Sequence, residues 1–273
     1  MKNNVSLNSS FVDKIFDDEE RFLKESVLLK FLSNSHLSSV TPLFLEESHL
    51  DKDFLLKMSR INGCELSIDL LTECIVHKLG SLLAKIHLLG EYDYCGSFNN
   101  DIEIENGHGD FNYFILAQVY KWAKRLLLIT KLYKSETEKI INFLIDNRNL
   151  FTYSGIYFCH NDFDLKNVII SNGKISGIID WEFAGAYTLC WEIRKIIPII
   201  FWNVNHKQFF INGYKKVIPS AVFPNRIQQS IVVVSDCIGA LGWAYKNNDE
   251  LRIRHLEKIF NKFLDELNQG GKI

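Results

Sequence analysis

Glycine is missing from the first 62 residues; the first is Gly63, in a chain of 273. That absence excludes from this stretch a glycine-rich turn of the kind that brings backbone N–H groups up to an anion. The six cysteines (64, 74, 95, 159, 190 and 237) include no C-x-x-C pair. Neither a zinc site nor a disulfide framework follows, and reduced, mostly buried thiols are expected. No apolar run is long enough to span a membrane; Ile196–Trp202 is among the longest and Pro198 breaks it. The opening MKNNVSLNSS has no signal-peptide core, so a cytoplasmic protein is expected. Large charge of either sign is lacking too: the formal net charge is −2, which points to neither nucleic acid nor a membrane surface as partner. Repeats, low-complexity tracts and long linkers are all absent.

What is present suits a folded enzyme: 47% hydrophobic, 13% aromatic and 23% charged residues, enough apolar surface for a large core. Residues 4–16 predict two short strands around a turn at Asn8-Ser9-Ser10. Asp17 and Asp18 can cap a helix running to about Asn34, and Val40–Glu46 and Phe54–Ser59 read as further strands. After the turn signal Asn62-Gly63 the pattern changes. Ser67 offers a cap for a long helix to Leu89, the acidic stretch 91–110 reads as a loop, and helices are expected at 111–132 and 135–149. Ser135 and Glu138 have capping-box spacing for the second of these. Three short β-like runs between 155 and 180 include a hairpin turned at Asn172-Gly173, and helical periodicity returns from about 189, broken near Asn203, Pro219–Pro224 and Asn247. The implied fold is α+β in two lobes, residues 1–62 small and β-rich and residues 63–273 large and mainly helical, the latter carrying a β-hairpin.

Chemistry concentrates in Cys159-His160-Asn161-Asp162-Phe163-Asp164-Leu165-Lys166-Asn167, followed after the hairpin by Ile179-Asp180-Trp181-Glu182. One carboxylate in a loop, a carboxamide five residues on and a second carboxylate ending a strand are the parts that phosphoryl transfer needs. The pattern H-x-D-x-x-x-x-N, then a strand and I-D-W, resembles the catalytic segment of the aminoglycoside phosphotransferases. Choline, homoserine and methylthioribose kinases are relatives of that family within the protein-kinase-like fold. The resemblance implies that Asp162 is the catalytic carboxylate, that Asn167 and Asp180 bind Mg²⁺, and that His160 braces the loop. It further implies Lys14 on a small-lobe strand at the nucleotide phosphates, held by Glu25, and a hinge at 58–63 where the Ser59 carbonyl and Ile61 amide meet the base. Leu79–His87 resembles the family's L-x-x-L-L-A-x-L-H packing helix. A small-molecule kinase using ATP or GTP follows as the expectation, with a small hydroxylated acceptor such as an aminoglycoside. A metabolite kinase and a catalytically weak nucleotide-binding relative are the alternatives.

A rival lies within the chain. Gly107-His108-Gly109-Asp110 is outwardly closer to the family's H-G-D, but five residues past Asp110 stands Ile115, which cannot ligate a metal, so a helix-entry loop is expected there. The acidic stretch itself, including Glu103 and Glu105, reads as a solvated face with a conceivable pull on a polyamine. Two features depart from the family. The glycine-poor start leaves the Asn8–Ser10 turn as one substitute for a phosphate loop, and after Asp180 only Glu192 is placed to brace the catalytic loop as a later carboxylate does in relatives.

Overall fold

The computed structural model describes residues 4–151 and 155–269. Its first lobe is an antiparallel sheet of β1 (Asn4–Leu7), β2 (Phe11–Phe16), β3 (Phe44–His49) and β4 (Phe54–Ser59), ordered β1-β2-β4-β3, with α1 (Glu19–Ser33) against it. Asp18 caps α1 by accepting from the Arg21 amide at 3.0 Å. Phe22, Leu28, Leu29 and Leu32 of α1 are fully buried with Phe16 and Leu56 of the sheet. One expected strand moves: Val40–Glu46 is replaced by Phe44–His49. The Val40 amide and Thr41 hydroxyl both bond back to the Leu37 carbonyl, completing a turn after α1, and Pro42 has no N–H to give a ladder.

The chain crosses to the second lobe through β5 (Cys64–Glu65), which pairs with β10 (Val168–Ser171) in a sheet of order β11-β10-β5, β11 being Lys174–Ile178. Gly63 makes that crossing feasible: its φ is +142°, and a Cβ there would meet the Ile170 carbonyl oxygen at 2.2 Å. The helix expected from Ser67 instead starts at Glu73: α2 (Glu73–His87) is capped by Thr72, and Ser67 only precedes a single 3₁₀ turn at Ile68–Leu70. Ile68 and Leu70 are exposed, so nothing would be buried by extending the helix to them.

The acidic stretch 91–110 is not a loop but strand-rich, a third correction. It holds β6 (Glu91–Tyr92), β7 (Cys95–Phe98) and β8 (Ile104–His108), which join β9 (Ile156–Cys159) and β12 (Gly185–Tyr187) in the order β6-β9-β12-β7-β8. Cys95 and Phe98 point into the core while the acidic residues face outward, as edge strands permit. α3 (Phe111–Ile129) is capped by Asp110, whose carboxylate accepts from the Asn112 amide at 2.8 Å, so the rival His108/Asp110 segment is a helix entry. α4 (Lys134–Asp146) begins before Ser135, with Tyr133 at the cap position and no capping box. Glu138 instead faces Lys134 one turn back, at 3.9 Å.

The C-terminal part supplies α5 (Leu189–Glu192), a 3₁₀ turn at Ile193–Lys195, a π-helical turn at Ile197–Phe201, then α6 (Val204–Lys215), α7 (Arg226–Lys246) and α8 (Glu250–Gln269). α7 is long and apolar enough by composition to cross a membrane, but 67% of that window is buried inside the protein, packed against α3 and α8. α2 and α6 approach until their backbones touch; a Cβ on Gly213 would lie 1.8 Å from the His77 carbonyl oxygen and one on Gly80 2.0 Å from that of Phe210.

Candidate active site

Three short segments meet where the lobes face each other. The β10–β11 hairpin turns through Asn172 and Gly173, both at positive φ, and pairs Val168 with Ile178. Asn167 and Ile179 continue that pairing, with the Ile179 amide donating to the Asn167 carbonyl at 2.9 Å. Asn167 and Asp180 thereby stand at neighbouring strand ends at the open end of the hairpin. Asp180 itself has φ +68°, a left-handed conformation uncommon outside glycine and often found at functional positions.

Asp162 lies beside them, only 3% exposed. Asn167 Nδ2 donates both to the Asp162 carbonyl and to its Oδ2, each at 2.8 Å, which turns the carboxamide oxygen away from Asp162. His160 holds the loop from beneath. Its Nδ1 accepts from the Asp162 amide at 3.2 Å, so Nε2 carries the proton and donates to the Ile179 carbonyl at 2.9 Å. Burial pushes the His160 pKa down, which keeps the ring neutral in this role.

Lys14 reaches the same place from β2. Its ammonium lies 2.7 Å from Glu25 Oε2, 2.8 Å from Asp180 Oδ1 and 3.5 Å from Glu182 Oε2. Desolvation opposes that charge, but the three carboxylates outweigh it and raise the Lys14 pKa. Burial pushes Glu25 up to about 7 against the pull of Lys14. Arg21 adds a bond to Glu182 at 2.7 Å. Three carboxylates are thus set against two cations, with oxygens of Glu25, Asp180 and Glu182 within 4.8 Å of one another. A negative surplus and hard oxygen donors fit Mg²⁺ and would not suit a softer metal.

Glu192, fully buried, accepts from the His160 amide at 3.0 Å and the Asn161 amide at 2.8 Å. Burial pushes its pKa up to about 7, against Arg194 and the two amides. These bonds secure Asn161 at φ +62°. Trp191 Nε1 adds a bond to the Asn161 side-chain oxygen at 3.1 Å, and Arg194 one to its carbonyl at 2.9 Å. Where the sequence predicts a hinge, the Ser59 hydroxyl accepts from the Leu43 amide at 2.8 Å and the Ile61 side chain packs over Gly177. The Asn8–Ser10 turn is fastened there as well: Arg60 donates to the Asn8 carbonyl at 2.7 Å and, through its amide, to that of Ser10 at 3.0 Å. Since Phe11 pairs with Ser59 while Lys14 pairs with Leu56, the turn sits at the Ser59 end of the sheet and does not cover the Lys14–Asp180 cluster.

Several contacting residues have no signal in the sequence. Lys195 contacts Asp162 Oδ1, and Lys166 approaches Oδ2 at 3.6 Å. Burial resists the charge on Asp162, but these two ammonium groups prevail and hold its pKa down to about 2. Glu182 stands two residues after Asp180 and is readable in the sequence only as part of the motif. Arg21 and Lys195 become neighbours of the site through tertiary packing alone.

Residues 5–204 match the APH phosphotransferase enzyme family. The LicA homolog of Metamycoplasma hominis is 26% identical over 231 residues, covering 83% of this chain and 85% of that protein. Among solved structures, a thermostable aminoglycoside phosphotransferase APH(4)-Ia superposes with a TM-score of 0.70 at 14% identity, over 97% of this chain and 94% of its own. The gentamicin complex of APH(2")-IIa gives 0.65 at 17% identity, over 94% and 87%. The GDP and kanamycin complex of APH(2")-IIia gives 0.67 at 14% identity, over 97% and 90%. The fold is therefore the two-lobed, kinase-like one, and the chain belongs to the APH phosphotransferase enzyme family, an enzyme that transfers phosphate to an alcohol group.

Proposed function

We propose that the protein passes the γ-phosphoryl group of ATP or GTP to a hydroxyl of a small molecule, with an aminoglycoside as the first acceptor to test. The observation that carries this reading is the convergence of Asp162, Asn167, Asp180, Lys14 and Glu25 from four separate stretches of sequence. Residues 1–62 would hold the nucleotide, its base at the Ser59 carbonyl and Ile61 amide and its phosphates at Lys14. Residues 63–273 would hold the acceptor. Bound Mg²⁺, held by Asp180 and Asn167, would neutralise charge on the nucleotide phosphates. Asp162 orients the acceptor hydroxyl and receives its proton as the new O–P bond forms and the nucleoside diphosphate leaves. A carboxylate held at about 2 is a weak base, so orientation outweighs proton abstraction, which suits a loose phosphoryl-transfer transition state. Solved relatives hold ADP with hygromycin B, and GDP with kanamycin, in support of both donor and acceptor classes.

One observation favours a second reading, a metabolite kinase of the choline, homoserine or methylthioribose type. Lys166 and Lys195 place two ammonium groups at Asp162, where a polyamine would meet repulsion that an acceptor with one charge or none largely avoids. Phosphorus NMR of reactions with Mg-ATP or Mg-GTP separates the two. Kanamycin, gentamicin and hygromycin B form one panel, and choline, homoserine and methylthioribose the other. A new phosphomonoester signal in the first supports the aminoglycoside reading, and one confined to the second supports the metabolite reading. No phosphomonoester in either would remove both.

A further inference from the structure

The turn Ile193–Lys195 attaches to the catalytic loop through more than its neighbour Glu192. Arg194 is fixed by three bonds, to Asp236 at 2.8 Å, the Trp191 carbonyl at 2.9 Å and the Asn161 carbonyl at 2.9 Å. The backbone that carries Lys195 is consequently rigid. From it the Lys195 side chain, 26% exposed, extends into the cleft and ends on Asp162 Oδ1, while Asn167 occupies Oδ2. The carboxylate is gripped at both oxygens, which fixes its rotation about χ2. Lys166, by contrast, is 53% exposed and stands off at 3.6 Å, adding charge near the carboxylate without fixing its orientation.

We propose that Lys195 is a positioning residue for phosphoryl transfer: its ammonium holds the Asp162 carboxylate in the one orientation that aims the acceptor hydroxyl at phosphorus. This inference rests on the reading of Asp162 as the catalytic carboxylate. A carboxylate secured on one side only can rotate, and small misplacements of a reacting group cost large factors in rate. Lys195 need not touch the nucleotide, so its loss falls on kcat and leaves the grip on ATP intact.

The test compares Lys195→Met, Lys195→Arg and Lys195→Cys with Asp162→Asn. Each is assayed with Mg-ATP against kanamycin, choline, homoserine, methylthioribose and water in parallel. Lys195→Met should lower kcat about 100-fold with the KM for ATP within about twofold of wild type. Lys195→Arg should recover a part of that loss. Aminoethylation of Lys195→Cys rebuilds a lysine-like ammonium and should restore most of the rate, with treated wild-type protein controlling for Cys64 and Cys74, which are exposed. That arm keeps the comparison within one folded protein if the Met variant does not fold. A Lys195→Met enzyme with wild-type kcat, or a modified Cys variant with no gain, overturns the role of Lys195 while Asp162→Asn remains inactive. If Asp162→Asn is itself fully active, the reading of the catalytic carboxylate fails instead.

Discussion

At the residue scale, the carboxylates of the site divide by the company they keep. Asp162 is ionised because two lysines face it, and its folded pKa of about 2 lies below the ordinary 3.8. A carboxyl group depressed in this way contributes stability that is fully present above 3.8 and is lost as pH falls through 2. The expected consequence for kinetics is that kcat/KM shows no acid limb from Asp162 above about pH 4. A pH–rate profile with a fall centred near pH 5 that disappears in Asp162→Asn would contradict that. Glu192 is the opposite case, deeply buried and retained by the two backbone amides it satisfies. Glu192→Ala leaves both donors without an acceptor beside the left-handed Asn161, and a loss of about 3 kcal/mol in urea unfolding is expected, with a drop in kcat. Glu192→Gln keeps one acceptor oxygen and should fall between the two.

At the scale of elements, α2 and α6 depend on two residues without side chains. Gly80 and Gly213 let each helix backbone lie against the other, and a Cβ on Gly213 would sit 1.8 Å from the His77 carbonyl oxygen. Gly213→Ala should therefore force the helices apart and cost about 2–4 kcal/mol, read as a lowered urea midpoint with unchanged helical content. The catalytic hairpin is legible in the sequence because its logic is short-range: a turn pair, two alternating strands and polar residues at fixed offsets from the turn. The same holds for the Asp18 and Asp110 caps. The strands inside 91–110 are not legible there, since β6 is defined by pairing with β9 and β7 by pairing with β12, more than seventy residues away, while β8 only then adds to β7. The helix start at Thr72 and the missing capping box at Ser135 escape a sequence reading for a related reason. Several cap residues fit each start, and burial rather than local propensity chooses among them. Lys195, Arg21 and Arg194 are silent for the same cause, being ordinary basic residues until packing delivers them to the site.

At the scale of the whole molecule, the lobes are joined across the site by Lys14–Asp180 and Arg21–Glu182, and the large lobe is anchored beneath it by His87. His87, at the end of α2, is stacked 5.1 Å from the Tyr157 ring with its Nδ1 2.6 Å from the Tyr214 hydroxyl, and burial pushes its pKa down to about 3 from 6.5. A histidine buried neutral favours the fold fully above 6.5, and that contribution declines as pH falls toward 3. Glu25 and Glu192, both raised to about 7, act in the other direction, since their contribution is greatest below 4.5 and is lost as pH rises through 7. The comparison of wild type with His87→Gln cancels those terms. Its difference in unfolding free energy should change by about 1.4 kcal/mol per pH unit between the two His87 values, with wild type losing stability faster on acidification. Parallel curves would mean that His87 titrates normally in the fold.

The central claim is that Asp162 aligns an acceptor hydroxyl for a phosphoryl group held by the rest of the cluster. Asp162→Asn changes that carboxylate with little change in volume, and two quantities measured on it decide the matter: steady-state phosphoryl transfer from Mg-ATP to the best acceptor, and the Kd for Mg-ATP. The account predicts a fall in kcat of about 1,000-fold with the Kd within about threefold of wild type. Wild-type turnover in Asp162→Asn would contradict it, and so would a loss of activity explained entirely by lost nucleotide binding.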